Sequence, residues 1–119
     1  PIRRVGLLAA EGTMKAGLFQ SRLEREGIQT IIPEGEDRAE AQKLIFKIKD
    51  TGTKHNREEI TSRFGVIGER MIARGADAIL VGCTEISVVV DPGSFSARGF
   101  DALDLLAKAA VREAGLTPL

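Results

Sequence analysis

Cys83 is the only thiol of the chain, and it stands in the block Gly82-Cys83-Thr84-Glu85 directly after the apolar run Ala78-Ile79-Leu80-Val81. A cysteine just past a buried strand and just before a short helix sees backbone N–H groups and the positive helix end. Both lower its pKa and raise its thiolate fraction. The same N–H groups suit a carboxylate or a developing enolate. Gly82 supplies backbone freedom for a tight turn, and either Cys83 or Thr84 can serve as N-cap. The plainer reading is a buried cysteine acting as a small hydrophobe. Gly12-Thr13 forms a second candidate turn, where a glycine admits close ligand approach and a threonine adds a hydroxyl; an ordinary N-cap is the plainer reading. The spacing is neither a Walker loop nor a dinucleotide fingerprint. Arg57 is expected at the first position of a helix that feeds the Cys83 strand, which puts it within reach of an anionic substrate. The plainer reading, and on position alone the safer one, is a solvated arginine offset by Glu58 and Glu59. Lys15 is similarly ambiguous, and His55 reads as a loop residue.

The elements that must position these residues follow from the apolar pattern. Arg3 to Ala10, Ile28 to Pro33 and Asp77 to Val81 read as buried strands. Thr13 opens a helix with Met14, Leu18, Phe19 and Leu23 at roughly helical spacing, and Gly27 ends it. Asp37 with Glu40 forms a capping-box pattern before Ala41, Leu44, Ile45 and Ile48. Thr51-Gly52-Thr53 breaks that helix. Asn56 with Glu59 opens another, with Ile60, Phe64, Ile67 and Met71 on one face and Gly75 at its end. Ile86 to Val90 is apolar and stops at Asp91-Pro92-Gly93, while Ser94 to Gly99 reads as a loop. A last helix starts near Asp101, with Leu103, Leu106, Ala107, Ala110, Val111 and Ala114 expected to face inward.

Strands alternating with helices predict an α/β domain. The expected architecture is a three-layer sandwich with a short parallel sheet of three to four strands and helices on both faces. Ligands in such sheets sit at the carboxyl ends of the strands, which is where Glu11-Gly12-Thr13 and Gly82-Cys83-Thr84-Glu85 fall. Composition narrows the function. The 119 residues suit one domain, and 43% hydrophobic with 29% charged residues predicts a packed core. The 17 Lys and Arg balance 17 Asp and Glu, and five Phe stand without Tyr or Trp, so a nucleic-acid partner is not expected. One Cys and one His exclude a disulfide framework and a Cys-cluster zinc site, and make a Ser–His triad or a His-rich metal site hard to build. No apolar run approaches the ~18 residues of a membrane span, and the start does not read as a signal peptide. The expectation is a soluble, cytoplasmic domain with a free thiol, no membrane partner, no metal, and no leader or upstream domain.

Taken together, the motifs resemble the aspartate/glutamate racemase superfamily of cofactor-independent racemases. The matching stretches are Val5 to Thr13, Ile45-Phe46 with Gly52, and Gly75 to Glu85. Thr84-Glu85 after the cysteine is similar to the aspartate racemase branch. The resemblance implies a two-domain fold with one cysteine per domain and the active site between them. This chain resembles the second domain, with residues 100–115 as the terminal helix that in the family returns to the first domain. Three positions depart from the family pattern. Ala10 stands where the family commonly has Thr, and Ala16 and Phe19 stand where it has Ser and Tyr. Arg57 matches a position where some aspartate racemases use Lys on the substrate carboxylate.

The implied reaction is racemisation by two thiols on opposite faces of the α-carbon, with no cofactor. Cys83 would be the acid/base group. Gly12, Thr13, Arg57, Thr84 and Glu85 would bind an amino-acid or dicarboxylate substrate. With the first domain's cysteine absent, the chain alone is expected to be inactive and to pair with that missing domain or with itself as a homo-oligomer. The alternatives are a one-cysteine decarboxylase or isomerase of the superfamily, which Thr84-Glu85 argues against, and a non-catalytic carboxylate-binding or self-assembling domain.

Overall fold

A computed structural model describes residues 1–115. Strand β1 (Arg4–Leu8) is followed by α1 (Glu11–Ala16), α2 (Leu18–Arg25) and β2 (Gln29–Ile31). Helices α3 (Gly35–Thr51) and α4 (Arg57–Ala73) then lead to β3 (Ala78–Val81), and α5 (Thr84–Val89) follows at once. A single 3-10 turn at Pro92–Ser94 precedes β4 (Arg98–Asp101) and α6 (Ala102–Glu113). The four strands pair in the order β2-β1-β3-β4, and every pair is parallel. The expected α/β sandwich is therefore present, with four strands. Among the described residues no helix is long and apolar enough to cross a membrane.

Alternation along the strands sends side chains to two faces. Leu8, Ile79 and Val81 meet α3, α4 and α5 through Leu44, Ile45, Ile60, Phe64, Met71 and Ile86. Val5, Leu7 and Leu80 meet Met14 of α1, with Phe19 and Leu23 of α2 and Ala102 of α6 partly buried beside them. The two faces are unequal. The first holds most of the buried residues, whereas α2 and α6 contribute no fully buried side chain.

Several elements differ from the sequence expectation. The helix expected from Thr13 to Gly27 begins at Glu11 and is cut in two by Gly17, whose φ of 71° lies in the left-handed region that breaks a helix. Helix α3 starts at Gly35 with Glu34 at the N-cap, so Asp37 lies in the first turn and pairs with Arg70 instead of capping. Asn56 does occupy the N-cap of α4, but its side chain makes no capping bond. Strand β2 is shorter than expected and only half buried, because it forms the sheet edge. The expected loop from Ser94 to Gly99 ends inside a strand: Ala78, Ile79, Leu80 and Val81 pair with Arg98, Gly99, Phe100 and Asp101. Asp101 does cap α6, accepting from the N–H groups of Leu103 and Asp104. The apolar face of α6 is not turned inward: Leu103 is 53% and Leu106 65% exposed, and Ala107, Ala110 and Ala114 are exposed too, leaving only Val111 half buried. Periodicity marked an apolar stripe, but no neighbouring element among the described residues covers it.

Gly6 is set by packing. A Cβ there would lie 2.8 Å from Cδ1 of Ile79 and 3.2 Å from Cβ of Met71, beneath α4. Gly6→Ala is expected to lower the unfolding free energy by about 1–3 kcal/mol, the usual cost of overpacking a core. Urea denaturation followed by circular dichroism measures it, and an unchanged midpoint would contradict this packing.

Candidate functional site

Strand β1 sends the chain sideways to β2, while β3 arrives on the other side of β1. Such a switch point opens a crevice at the carboxyl ends of the two strands. The Gly82 N–H donates to the Leu8 carbonyl at 2.8 Å and so ties the two ends together. Beyond that tie, one strand runs into Glu11-Gly12-Thr13 and the other into Cys83-Thr84-Glu85.

Cys83 has extended backbone angles, φ −138° and ψ 131°, and occupies the N-cap of α5 without a side-chain capping bond. Its carbonyl accepts from the Ser87 N–H and the Ser87 hydroxyl, both at 3.0 Å, which anchors the first turn. The half-buried thiol donates to Oε2 of Glu85 at 3.3 Å. The Thr84 hydroxyl donates to the same oxygen at 2.9 Å, and Lys49 Nζ lies 3.7 Å from Oε1. A cavity of about 350 Å³ opens over Cys83, lined by Phe19, Gly82, Thr84, Ser87, Leu103 and Leu106 among others. Gly82 has to lack a side chain here, since a Cβ would stand 2.9 Å from the Phe19 ring.

The electrostatics differ from the sequence expectation of a lowered thiol pKa. Burial pushes the Cys83 thiol up, and the negative Glu85 carboxylate that accepts its proton adds to the rise. The backbone N–H groups of Ile86 and Glu85 act in the expected direction but do not win. Glu85 itself is held below the usual carboxylate range, first by the Thr84 hydroxyl and then by the thiol, with a smaller contribution from Lys49.

The other turn is pinned by α3. Gln42 accepts from the Glu11 N–H at 2.8 Å and donates to the Ala9 carbonyl at 3.4 Å. Arg38 forks onto the Glu11 carboxylate through Nε at 2.9 Å and Nη2 at 2.5 Å. Gly12 is exposed in the first turn of α1, and a Cβ there would meet nothing within 4 Å. Thr13 follows, half buried.

The structure brings Cys83, Thr84 and Glu85 into one cluster, with Gly12 and Thr13 on the neighbouring turn. Arg57 lies apart from them. Its guanidinium donates to the Val88 carbonyl at 2.6 Å, towards the far end of α5, and it lines a different cavity with Lys54, His55 and Asn56. Sequence reasoning did not find Lys49, Arg38, Gln42 or Ser87. Only Ser87 carried a local signal, a hydroxyl one helical turn after Cys83. The three α3 residues are polar positions on an amphipathic helix, and only the tertiary fold gives them partners.

The model of the Asp/Glu/hydantoin racemase family matches residues 2–112. The chain belongs to that family. A proposed Asp/Glu racemase from Yersinia pestis superposes with a TM-score of 0.82 at 30% identity, over 95% of this chain and 49% of that one. An aspartate racemase homologue from Pyrococcus horikoshii OT3 gives a TM-score of 0.78 at 26% identity, over 96% of this chain and 49% of that one. The aspartate racemase of Picrophilus torridus gives 0.74 at 26% identity, over 99% of this chain and 48% of that one. Among curated proteins, one from the pnlA 3' region of Pectobacterium carotovorum subsp. carotovorum is 26% identical over 91 residues, covering 74% of this chain and 56% of its own length. The chain thus spans about half the length of these family members.

The Arg38 fork has a pH signature. It holds the Glu11 carboxyl below its ordinary value of 4.5. A carboxylate whose pKa falls on folding contributes stability above its unfolded pKa and loses it as the pH drops through the folded one. Arg38→Met is therefore expected to be less stable than the parent at neutral pH, with the gap closing on acidification below about 4.5. Thermal unfolding of both proteins across that range measures it. A gap independent of pH would mean that Arg38 acts through packing alone.

Proposed function

We propose that the chain is one half of a cofactor-independent racemase of the aspartate/glutamate type. The observation that carries this is the position of Cys83. A racemase-family chain sets its single thiol in a cavity at the sheet's switch point, with a partnered carboxylate at 3.3 Å. The substrate is an amino acid or a related dicarboxylate.

Inversion at an α-carbon needs an acid/base group on each face, because one group alone tends to return the proton to the side it left. Cys83 serves one face. The group for the other face comes from a complementary half with which this chain pairs. The carbanion is held by N–H donors around the α-carboxylate, at the Gly12-Thr13 and Thr84 turns. Gly12 fits this role because its open surface admits close approach and its fold position does not require a glycine. Glu85 orients the thiol and the Thr84 hydroxyl. Arg57 is the outlying member of the set and has to release Val88 to meet an anionic group.

The exposed leucines of α6, beside the cavity, support pairing with the missing half or with another copy. Sedimentation at rising concentration is expected to show self-association of the chain alone, and a clean monomer throughout would count against it.

The chain by itself is not expected to interconvert L- and D-aspartate at an enzyme-like rate. It is expected to exchange the α-proton of aspartate or glutamate for deuterium only slowly, through the small thiolate fraction of Cys83, from one face without inversion, and to lose this with Cys83→Ser. Proton NMR in heavy water reads both. Robust interconversion would show that the chain completes a two-thiol site by itself. Binding without exchange would replace the catalytic reading with a carboxylate-binding domain.

A further inference from the structure

The mechanism above uses a thiol but leaves open whether Cys83 meets the substrate with or without its proton. The surroundings of the sulfur bear on this directly. Its hydrogen-bond acceptor is a carboxylate oxygen, Oε2 of Glu85, at 3.3 Å. The nearby cation, Lys49, faces the other oxygen of that carboxylate, Oε1, at 3.7 Å. Among the described residues, the remaining elements around the cavity bring no compensating charge. Helix α2 presents Phe19, and α6 presents Leu103 and Leu106. On α4, Arg57 is engaged by Val88 and Thr61 by Val89. Glu11 of α1 is paired with Arg38, Asp101 caps α6, and Asp104 pairs with Lys108.

We infer that Glu85 keeps the Cys83 proton on sulfur in the resting site, so that this half meets the substrate as the proton donor. Lys49 acts as a positioning residue that sets how strongly Glu85 does so. A thiolate beside an ionised carboxylate suffers like-charge repulsion, while a thiol beside it gains a charge-assisted hydrogen bond. Lys49 offsets part of the carboxylate charge and so moderates the hold. The catalytic meaning rests on the racemase reading. A thiolate of the opposing half takes the α-proton, and the electron pair of that C–H bond stays on carbon. Cys83 then gives its proton to the opposite face, the S–H pair stays on sulfur, and a new C–H bond forms. The direction of the thiol pKa, upward, agrees with the geometry.

The test needs no substrate and is therefore independent of racemase activity. The pH dependence of Cys83 alkylation by iodoacetamide is measured on the full chain, with Cys83→Ser as the blank. The plateau at alkaline pH reports access to the sulfur, and the midpoint reports ionisation. Glu85→Gln is expected to move the midpoint down and to speed alkylation near neutral pH by roughly three- to tenfold. Lys49→Met, at a half-exposed position, is expected to move it up and to slow alkylation, and it keeps the test decisive if Glu85→Gln does not fold. A midpoint unchanged or raised in Glu85→Gln overturns the role of Glu85. A midpoint unchanged or lowered in Lys49→Met overturns the role of Lys49. If both shifts appear while the chain binds neither aspartate nor glutamate, the thiol control stands and the racemase reading fails.

Discussion

The hydrogen bond from the Gly82 N–H to the Leu8 carbonyl closes the last rung between β1 and β3, and the site hangs from it. Above this rung the two strands turn away from each other, since their onward connections go to different sides of the sheet. Below it, Leu8 pairs with Val81 and Leu7 with Leu80, and each pair faces a different layer of helices. A slip of one residue would exchange the two faces and bury the wrong set. The packing of Phe64, Ile60 and Met71 therefore fixes the register, and the register fixes the height at which Cys83 leaves the sheet.

Helix α3 does most of the remaining positioning. Its buried stripe, Ala41, Leu44, Ile45 and Ile48, seats it on the sheet. Polar residues beside that stripe then reach the crevice. Arg38 and Gln42 hold the first turn, and Lys49, near the other end of the same helix, meets Glu85. One rigid element thus touches both halves of the crevice. A shift of α3 relative to the sheet would move the Gly12 turn and the Glu85 carboxylate together.

Much of this was legible in the sequence, for definable reasons. Strands β1 and β3 are apolar on both faces, so their runs stood out, and the residues following them marked the site. Strand β4 was missed because Arg98-Gly99-Phe100-Asp101 carries no apolar pattern. Backbone pairing with β3, with Phe100 packed against the core, makes it a strand. Asp37 and Asn56 had the right spacing for capping boxes, yet neither side chain caps: Asp37 has Arg70 as a partner and α3 begins earlier, while Asn56 holds the N-cap position without a side-chain bond. The position of Cys83 was readable, but the direction of its ionisation was not. That depends on how deep the sulfur lies and where the Glu85 carboxylate turns, and both are set by tertiary structure.

Helix α6 is anchored chiefly at its first turn, by the Asp101 cap and the partly buried Ala102. Even so it holds Leu103, Leu105 and Leu106 in water. Exposed leucines on a lightly held helix are the surface that chaperones and proteases bind. Opening α6 away from the sheet therefore uncovers little further apolar surface, which makes it the element that opens at the lowest cost.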